Sequence, residues 1–317
     1  NLKDFALERN VDVAIIGAGT AGLSAMSQVR QAKKDFVLIN GGELGTTCAR
    51  VGCMPSKALI QVAHDLHRRE IFEREGIEGG AGLSVNLPDA LEHVRDLRDI
   101  LVDRVLANST DQMGETFIDG YARFVDPGIL QVGQEIIHAK SIVIATGTRP
   151  LVPDEWVDFG EHIITSDTIF EMEDLPQSIA VVGLGIIGLE IGQALSHLGV
   201  SVTGVDQLET IAGLNDPRAS QSAIELMART FPVWLGHQAR LTSEGSQIRV
   251  SAGEHSVVVD KVLAAMGRRS NVDWLSIENA GVDLNEAGLP VFDLNTMQCG
   301  ESRVFIAGDI TASNPVL

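Results

Sequence analysis

Cys48 and Cys53 stand five positions apart in the run Gly45-Thr46-Thr47-Cys48-Ala49-Arg50-Val51-Gly52-Cys53-Met54-Pro55-Ser56-Lys57. Two thiols so placed suit reversible disulfide chemistry, but not on a regular helix. Ideal helical geometry separates such residues by about 8–9 Å at Cα, whereas a disulfide spans roughly 4.4–6.8 Å. A bridge therefore needs a distorted helix start, and Gly52 supplies backbone freedom just before Cys53. A helix N-terminus and the nearby cation of Lys57 both favour thiolate over thiol. The plainer alternative is two unconnected core thiols. Weighing against it is the position of the pair between two glycine-rich turns, an order that suggests electrons passing from a nucleotide cofactor to a disulfide.

Each of those turns follows an apolar run and opens a helical segment. Val11-Asp12-Val13-Ala14-Ile15-Ile16 leads into Gly17-Ala18-Gly19-Thr20-Ala21-Gly22 and a helix through about Lys34. Ile179-Ala180-Val181-Val182 leads into Gly183-Leu184-Gly185-Ile186-Ile187-Gly188 and a helix to about Leu198. Strand, tight turn and helix in this order open a Rossmann unit. The first glycine makes the turn, the second admits a pyrophosphate to the backbone, and the third lets helix pack on strand. The phosphates then rest on the helix N-terminus. One such fingerprint is weak evidence; two in the same frame are strong.

The end of the next strand carries the ribose reader. Asp206 lies eighteen residues beyond Gly188, close to the roughly twenty expected of a carboxylate that bonds a ribose 2′-hydroxyl. A 2′-phosphate would be repelled there, and the nearest following arginine is Arg218, so NAD is favoured over NADP. Asn40 holds the same offset from Gly22. Its amide can bond a hydroxyl, without the charge that strengthens the bond.

Composition closes off other classes. With 317 residues, 44% hydrophobic and 21% charged, the chain suits two domains with full cores. A net charge of −19, from 43 acids against 24 bases, argues against nucleic acid as partner. Three cysteines do not make a secreted disulfide framework, and no signal-like segment opens the chain, so a reducing cytoplasm is expected. The most membrane-like stretch, 179–195, is broken by four glycines and Glu190, and no membrane partner is expected. His64 and His67, one helical turn apart, read as a solvated helix face, and no metal site is expected. Cys299 reads as a buried thiol.

The intervening segments complete a larger domain. Residues 87–113 predict a long surface helix, and 116–137 the short pieces of a small antiparallel sheet. Ser141 to Gly147 returns as a buried strand, 178–260 forms the second unit closed by 261–267, and 303–309 is one more buried strand ending in Gly308-Asp309. The expected class is α/β, three-layer, with two Rossmann-like domains. A first nucleotide-binding domain comprises 1–150 and 271–317, and a second, NAD-binding domain, 151–270, is inserted into it.

The paired fingerprints, the Cys-x4-Cys-Met-Pro-Ser-Lys segment, Ala145-Thr146-Gly147, the Gly185 to Glu190 stretch and Ile306-Ala307-Gly308-Asp309 resemble the class I pyridine nucleotide-disulfide oxidoreductases, and within them the dihydrolipoamide dehydrogenases. The resemblance implies FAD on Gly17, Gly19, Gly22 and Asn40, with Thr47, Lys57, Thr146, Gly147, Gly308 and Asp309 completing its site. It implies NAD on Gly183, Gly185, Gly188, Asp206 and Gly267. Cys53 would be the sulfur nearer the flavin and Cys48 the one that exchanges with a small dithiol or lipoyl substrate. Lys57 would pair with Glu190, steadying charge that accumulates on the flavin or thiolate; the plainer reading is a solvated ion pair.

Three departures from that pattern stand out: Asn40 for the usual glutamate, Thr46 where glycine is common, and Ser270 where Gly-Arg-x-Pro-Asn has proline. The family's C-terminal interface domain, which brings a histidine base and forms a homodimer, is expected to be absent, since the chain stops at Leu317. Other disulfide reductases and mercuric reductase share the core. Small thioredoxin reductases have this length, but they carry Cys-x2-Cys in the other domain. A non-catalytic fragment that only holds FAD and NAD is the reading from another class.

Overall fold

The computed structural model describes residues 7–311. In chain order its strands and helices are Leu7–Ile16 (β1), Thr20–Gln31 (α1), Phe36–Asn40 (β2), Thr47–Arg50 (α2), Cys53–His67 (α3), Leu87–Ala107 (α4), Phe117–Asp119 (β3), Ala122–Asp126 (β4), Ile129–Val132 (β5) and Glu135–Ile144 (β6). There follow Thr148–Pro150 (β7), Ile163–Thr165 (β8), Ser178–Val182 (β9), Ile186–His197 (α5), Ser201–Val205 (β10), Pro217–Met227 (α6) and Val233–Trp234 (β11). Arg240–Glu244 (β12), Gln247–Ala252 (β13), His255–Val259 (β14), Lys261–Ala264 (β15), Arg268–Ser270 (β16) and Val304–Ile306 (β17) complete the series. Contacts divide the chain into a first unit, Asn1–Arg50, Ile100–Arg149 and Arg269–Leu317, and a second, Val51–Asp99 and Pro150–Arg268.

The first unit is built on one sheet in the order β3-β2-β1-β6-β5-β4, with β17 also on β6. β1, β2, β3, β6 and the β6–β17 pair run parallel, while β4–β5 and β5–β6 are antiparallel. Val37, Leu38 and Ile39 of β2 are fully buried, as a strand covered on both faces requires. The small antiparallel sheet expected over 116–137 is therefore not separate. β3 joins the parallel part, and β6 is one ten-residue strand whose first half meets β5 and whose second half meets β17. β1 also starts earlier than its apolar run, because the polar Leu7-Glu8-Arg9-Asn10 segment satisfies its backbone against Glu135 to His138.

The second unit carries a five-stranded, all-parallel sheet, β11-β10-β9-β15-β8, and the antiparallel ribbon β12-β13-β14. α5 is apolar nearly all round, with Gly188, Leu189, Ile191, Gly192, Ala194 and Leu195 buried, which is why it resembles a membrane segment in composition. Among the described residues no helix is long and apolar enough to cross a membrane. Leu59 and Ala63 of α3 and Leu91 and Val94 of α4 are buried in one cluster with Ile191 and Leu195 of α5. That shared core is why 51–99 groups with the second unit, although it lies far from 150–268 in sequence. The long surface helix ends at Ala107, six residues short of its expected end. α1 stops at Gln31, and Lys33 adopts φ +52° just beyond it.

Candidate functional site: two glycine turns and a cysteine-bearing segment

The two glycine turns obey the same constraints atom for atom. In the first unit a Cβ on Gly17 would lie 2.3 Å from the Ala145 carbonyl oxygen, and one on Gly22 would lie 1.8 Å from the Gly17 carbonyl oxygen. In the second unit the equivalent distances are 2.4 Å from Gly183 to the Ala265 oxygen and 2.0 Å from Gly188 to the Gly183 oxygen. Gly17 and Gly183 also hold φ of +108° and +97°, where only glycine is unstrained. Gly19 and Gly185 differ: no atom lies within 4 Å of their Cβ positions. That open side at the head of α1 and α5 is a cradle a side chain would fill, and it fits a pyrophosphate laid against the helix N-terminus.

Each turn is braced from the end of the second strand. Asn40 Oδ1 accepts the Ala18 N–H at 3.0 Å, and its Nδ2 donates to the Gly42 carbonyl at 2.8 Å. Asp206 Oδ2 accepts the Leu184 N–H at 2.6 Å and Oδ1 the Leu208 N–H at 2.9 Å. The two positions thus do one local job, closing the turn. Only Asp206, buried at the end of β10, brings a negative charge to it.

Further segments converge on the first turn. Thr146 Oγ1 donates to the Asn271 carbonyl at 2.7 Å, Asn271 Nδ2 donates to the Thr146 carbonyl at 3.0 Å, and Asn271 N–H donates to the Gly147 carbonyl at 3.0 Å. Gly147 sits at φ +64° in this turn. Gly308 brings the Gly308-Asp309 turn against α1, since a Cβ there would meet Ala21 Cβ at 2.7 Å. Asp309 is half-buried and opens a 3-10 turn. Ser270 is buried where the resembling pattern has proline, and its Oγ donates to the Ile310 carbonyl at 2.9 Å. Asn271 and Ser270 were not among the expected site residues, although the Gly267-Arg268-Arg269-Ser270-Asn271 spelling marks both. Gly267, at φ +112°, accepts the Leu151 N–H at 2.9 Å in the second unit.

The cysteine segment breaks where the geometry of a bridge requires. α2 ends at Arg50 and α3 begins at Cys53, with Gly52 at φ −114° and ψ −116° between them. The structure carries Cys48, Cys53 and Cys299 as thiols. Cys48 and Cys53 are half-buried, whereas Cys299 is buried and its thiol is pushed up to about 11 by desolvation. Cys299 is thus a poor nucleophile at neutral pH. One turn into α3, Lys57 Nζ donates to Glu190 Oε2 of α5 at 2.6 Å. Both side chains are substantially exposed, at 55% and 40%.

His64 and His67 are joined by a residue no sequence spacing announced. His197, at the end of α5, stacks on His67 with ring centroids 3.8 Å apart and 3° between the planes. Burial, then the charges of His67 and His64, hold the His197 imidazole below the ordinary value, which favours its neutral form. Among the described residues no group of three or more His, Cys, Asp or Glu is arranged to hold a metal ion.

These features match a known family. The pyridine nucleotide-disulphide oxidoreductase family profile covers residues 11–317, and the chain belongs to that family. It is 29% identical over 321 residues to a mercuric reductase of Staphylococcus aureus, covering 98% of this chain and 58% of that one. It is 30% identical over 324 residues to a dihydrolipoyl dehydrogenase of Bacillus subtilis, covering 94% of this chain and 67% of that one. The chain thus spans a little over half the length of the mercuric reductases it matches. Among solved structures, the copper(II) complex of the HOCl-induced flavoprotein disulfide reductase of Escherichia coli superposes with a TM-score of 0.84 at 23% identity, over 97% of this chain and 67% of that one. That likeness is one of fold.

Proposed function

We propose that this chain is the nucleotide-binding and redox-active part of a flavin-dependent disulfide oxidoreductase of the dihydrolipoyl dehydrogenase type. The observation that carries the reading is the duplicated glycine turn, open at Gly19 and Gly185, with a Cys-x4-Cys segment following the first unit's opening. Residues 1–150 and 271–317 would form the FAD domain and 151–270 the NAD domain. FAD would be held by Gly17, Gly19, Gly22, Asn40, Thr47, Lys57, Thr146, Gly147, Gly308 and Asp309. NAD would be held by Gly183, Gly185, Gly188, Asp206 and Gly267. Bound FAD would supply a two-electron relay between nicotinamide and the cysteine pair.

The chain's own groups account for the sulfur chemistry. Starting from both thiols, the Cys48 thiolate attacks one sulfur of a substrate disulfide, forming a mixed disulfide and expelling one thiolate, which takes up a proton. The Cys53 thiolate then attacks the Cys48 sulfur, closing the Cys48–Cys53 bridge and expelling the second thiolate. Two electrons leave the pair, and NADH replaces them; lipoamide formation is the same sequence reversed. A homodimer is the expected assembly of the whole protein.

Mercuric reduction at the same pair is the second reading, supported by the similarity to the Staphylococcus aureus enzyme. NADH oxidation measured with lipoamide, with a small aromatic disulfide and with mercuric ion separates the two. Turnover with lipoamide supports the first, turnover with mercuric ion alone supports the second, and turnover with none of the three, with FAD bound, contradicts both.

Three variants test the assigned roles. Lys57→Met and Glu190→Gln are each expected to change stability by less than about 1 kcal/mol, because the pair is exposed. Each is expected to slow electron flow from NADH to the disulfide roughly 10–100-fold, the effect of removing one positioned charge. Stopped-flow rates beside melting curves check this. Asp206→Asn keeps an acceptor for the Leu184 N–H but removes the charge. It is expected to raise the KM for NADH about tenfold, in line with losing one charge-assisted bond, and to narrow the preference over NADPH, measured as the ratio of the two kcat/KM values.

A further inference from the structure

Thr46 holds φ of +66°, a left-handed conformation in which a β-branched residue is strained. Glycine would adopt it freely. The threonine nevertheless makes two bonds in this conformation. Its Oγ1 accepts the Ala49 N–H at 3.2 Å, and its carbonyl accepts the Arg50 N–H at 3.0 Å. The second of these closes the single turn Thr47–Arg50 that carries Cys48, and the first caps it. An isolated turn this short is not self-sustaining, because fixing its dihedrals costs more than its few bonds return. It must be held from outside.

The surroundings hold it at both ends. Gly45 enters the turn at φ +109°, where a Cβ would meet Val102 Cγ1 at 2.7 Å, so the approach of the chain is fixed. At the far end the Arg50 guanidinium pairs with the Glu43 carboxylate, and Ala49 is buried. Backbone strain persists only where the surrounding structure over-determines it, and it clusters at working sites.

We propose that Thr46 is a positioning residue for Cys48: its hydroxyl, kept in a strained conformation, fixes the turn and thereby the direction from which the Cys48 sulfur attacks an external disulfide. This role rests on the disulfide reading above. The step it serves is attack of the Cys48 thiolate on one substrate sulfur, with the S–S bond pair leaving on the other sulfur and a proton taken up from solvent.

Three substitutions separate positioning from plain stability. Thr46→Ser keeps the acceptor, Thr46→Val keeps the shape and loses the acceptor, and Thr46→Gly loses the acceptor while relieving the strain. Each is made in the full chain loaded with FAD and assayed with NADH twice, against a small aromatic disulfide and against a dye that takes electrons without the cysteines. Thr46→Val and Thr46→Gly are expected to lose about tenfold in kcat/KM for the disulfide, with dye reduction within twofold of the parent and Thr46→Ser restoring the disulfide rate. The informative member is Thr46→Gly, whose melting temperature is expected to equal or exceed the parent's while its exchange rate falls. Disulfide rates for Thr46→Val and Thr46→Gly within twofold of the parent would overturn the role, as would losses that simply follow melting temperature. Equal disulfide rates in the parent and in Cys48→Ser would instead sink the disulfide reading, and this role with it.

Discussion

Cys48→Ser and Cys53→Ser are each expected to lower NADH-dependent disulfide turnover by at least ~10³-fold, the scale on which removal of an essential nucleophile acts. A serine hydroxyl is almost fully protonated at neutral pH, and neither serine can close a bridge. The two variants should fail differently. Cys48→Ser removes the sulfur proposed to meet substrate but leaves Cys53 in place, so dye reduction by NADH is expected to fall far less than disulfide turnover. Cys53→Ser leaves a nucleophile that can open a substrate disulfide but cannot be released, and one equivalent of thiol is expected in a burst before turnover stops. Cys299→Ser supplies the comparison: its thiol is buried and held at about 11, and its loss should change turnover by less than twofold. Steady-state rates and burst amplitudes measure all three.

Gly22→Ala and Gly19→Ala, three residues apart in one turn, are expected to separate folding from cofactor binding. The added methyl of Gly22→Ala would lie 1.8 Å from the Gly17 carbonyl oxygen, a backbone atom that cannot swing aside. α1 must move off β1, and the cost is expected to be at least ~3 kcal/mol, a large part of a domain's stability. Gly19 has φ −78° and ψ −175°, which alanine adopts without strain, and no protein atom lies near the new methyl. Gly19→Ala should therefore change stability of the apo chain by less than about 1 kcal/mol, in the stabilising direction. Its FAD affinity should fall roughly 10–100-fold, because the methyl would occupy the proposed approach of the pyrophosphate. Urea titrations of the apo chain and flavin fluorescence on refilling check both.

Those contrasts show what was legible in the residues and what was not. The constraints on Gly17 and Gly22 follow from spacing, because a strand, a tight turn and a helix leave each of these glycines one geometric option. The pairing of Lys57 with Glu190, 133 residues apart, was also expected, although through resemblance to a family and not through spacing. Local patterns failed where a long-range contact decided. Leu7 to Asn10 has no apolar run, yet it is strand because β6 is there to take its hydrogen bonds. Residues 51–99 follow the first glycine turn in sequence, and only the shared burial of Leu59, Ala63, Leu91 and Val94 with α5 groups them with the second unit. Thr46 could be flagged as a departure from glycine, but its left-handed backbone and its bond to Ala49 are properties of the fold. His197 stacks on His67 for the same kind of reason: nothing in the spacing of two helix ends far apart in sequence announces that they meet.

The account stands on electrons reaching the cysteine pair, and counting thiols tests it most directly. The air-oxidised chain, loaded with FAD, is treated anaerobically with one equivalent of NADH and then with a chromogenic disulfide under denaturing conditions. Two thiols beyond the untreated count are predicted, mapping by mass to Cys48 and Cys53. NADH consumed and flavin colour lost with no new thiol at either cysteine would contradict the account.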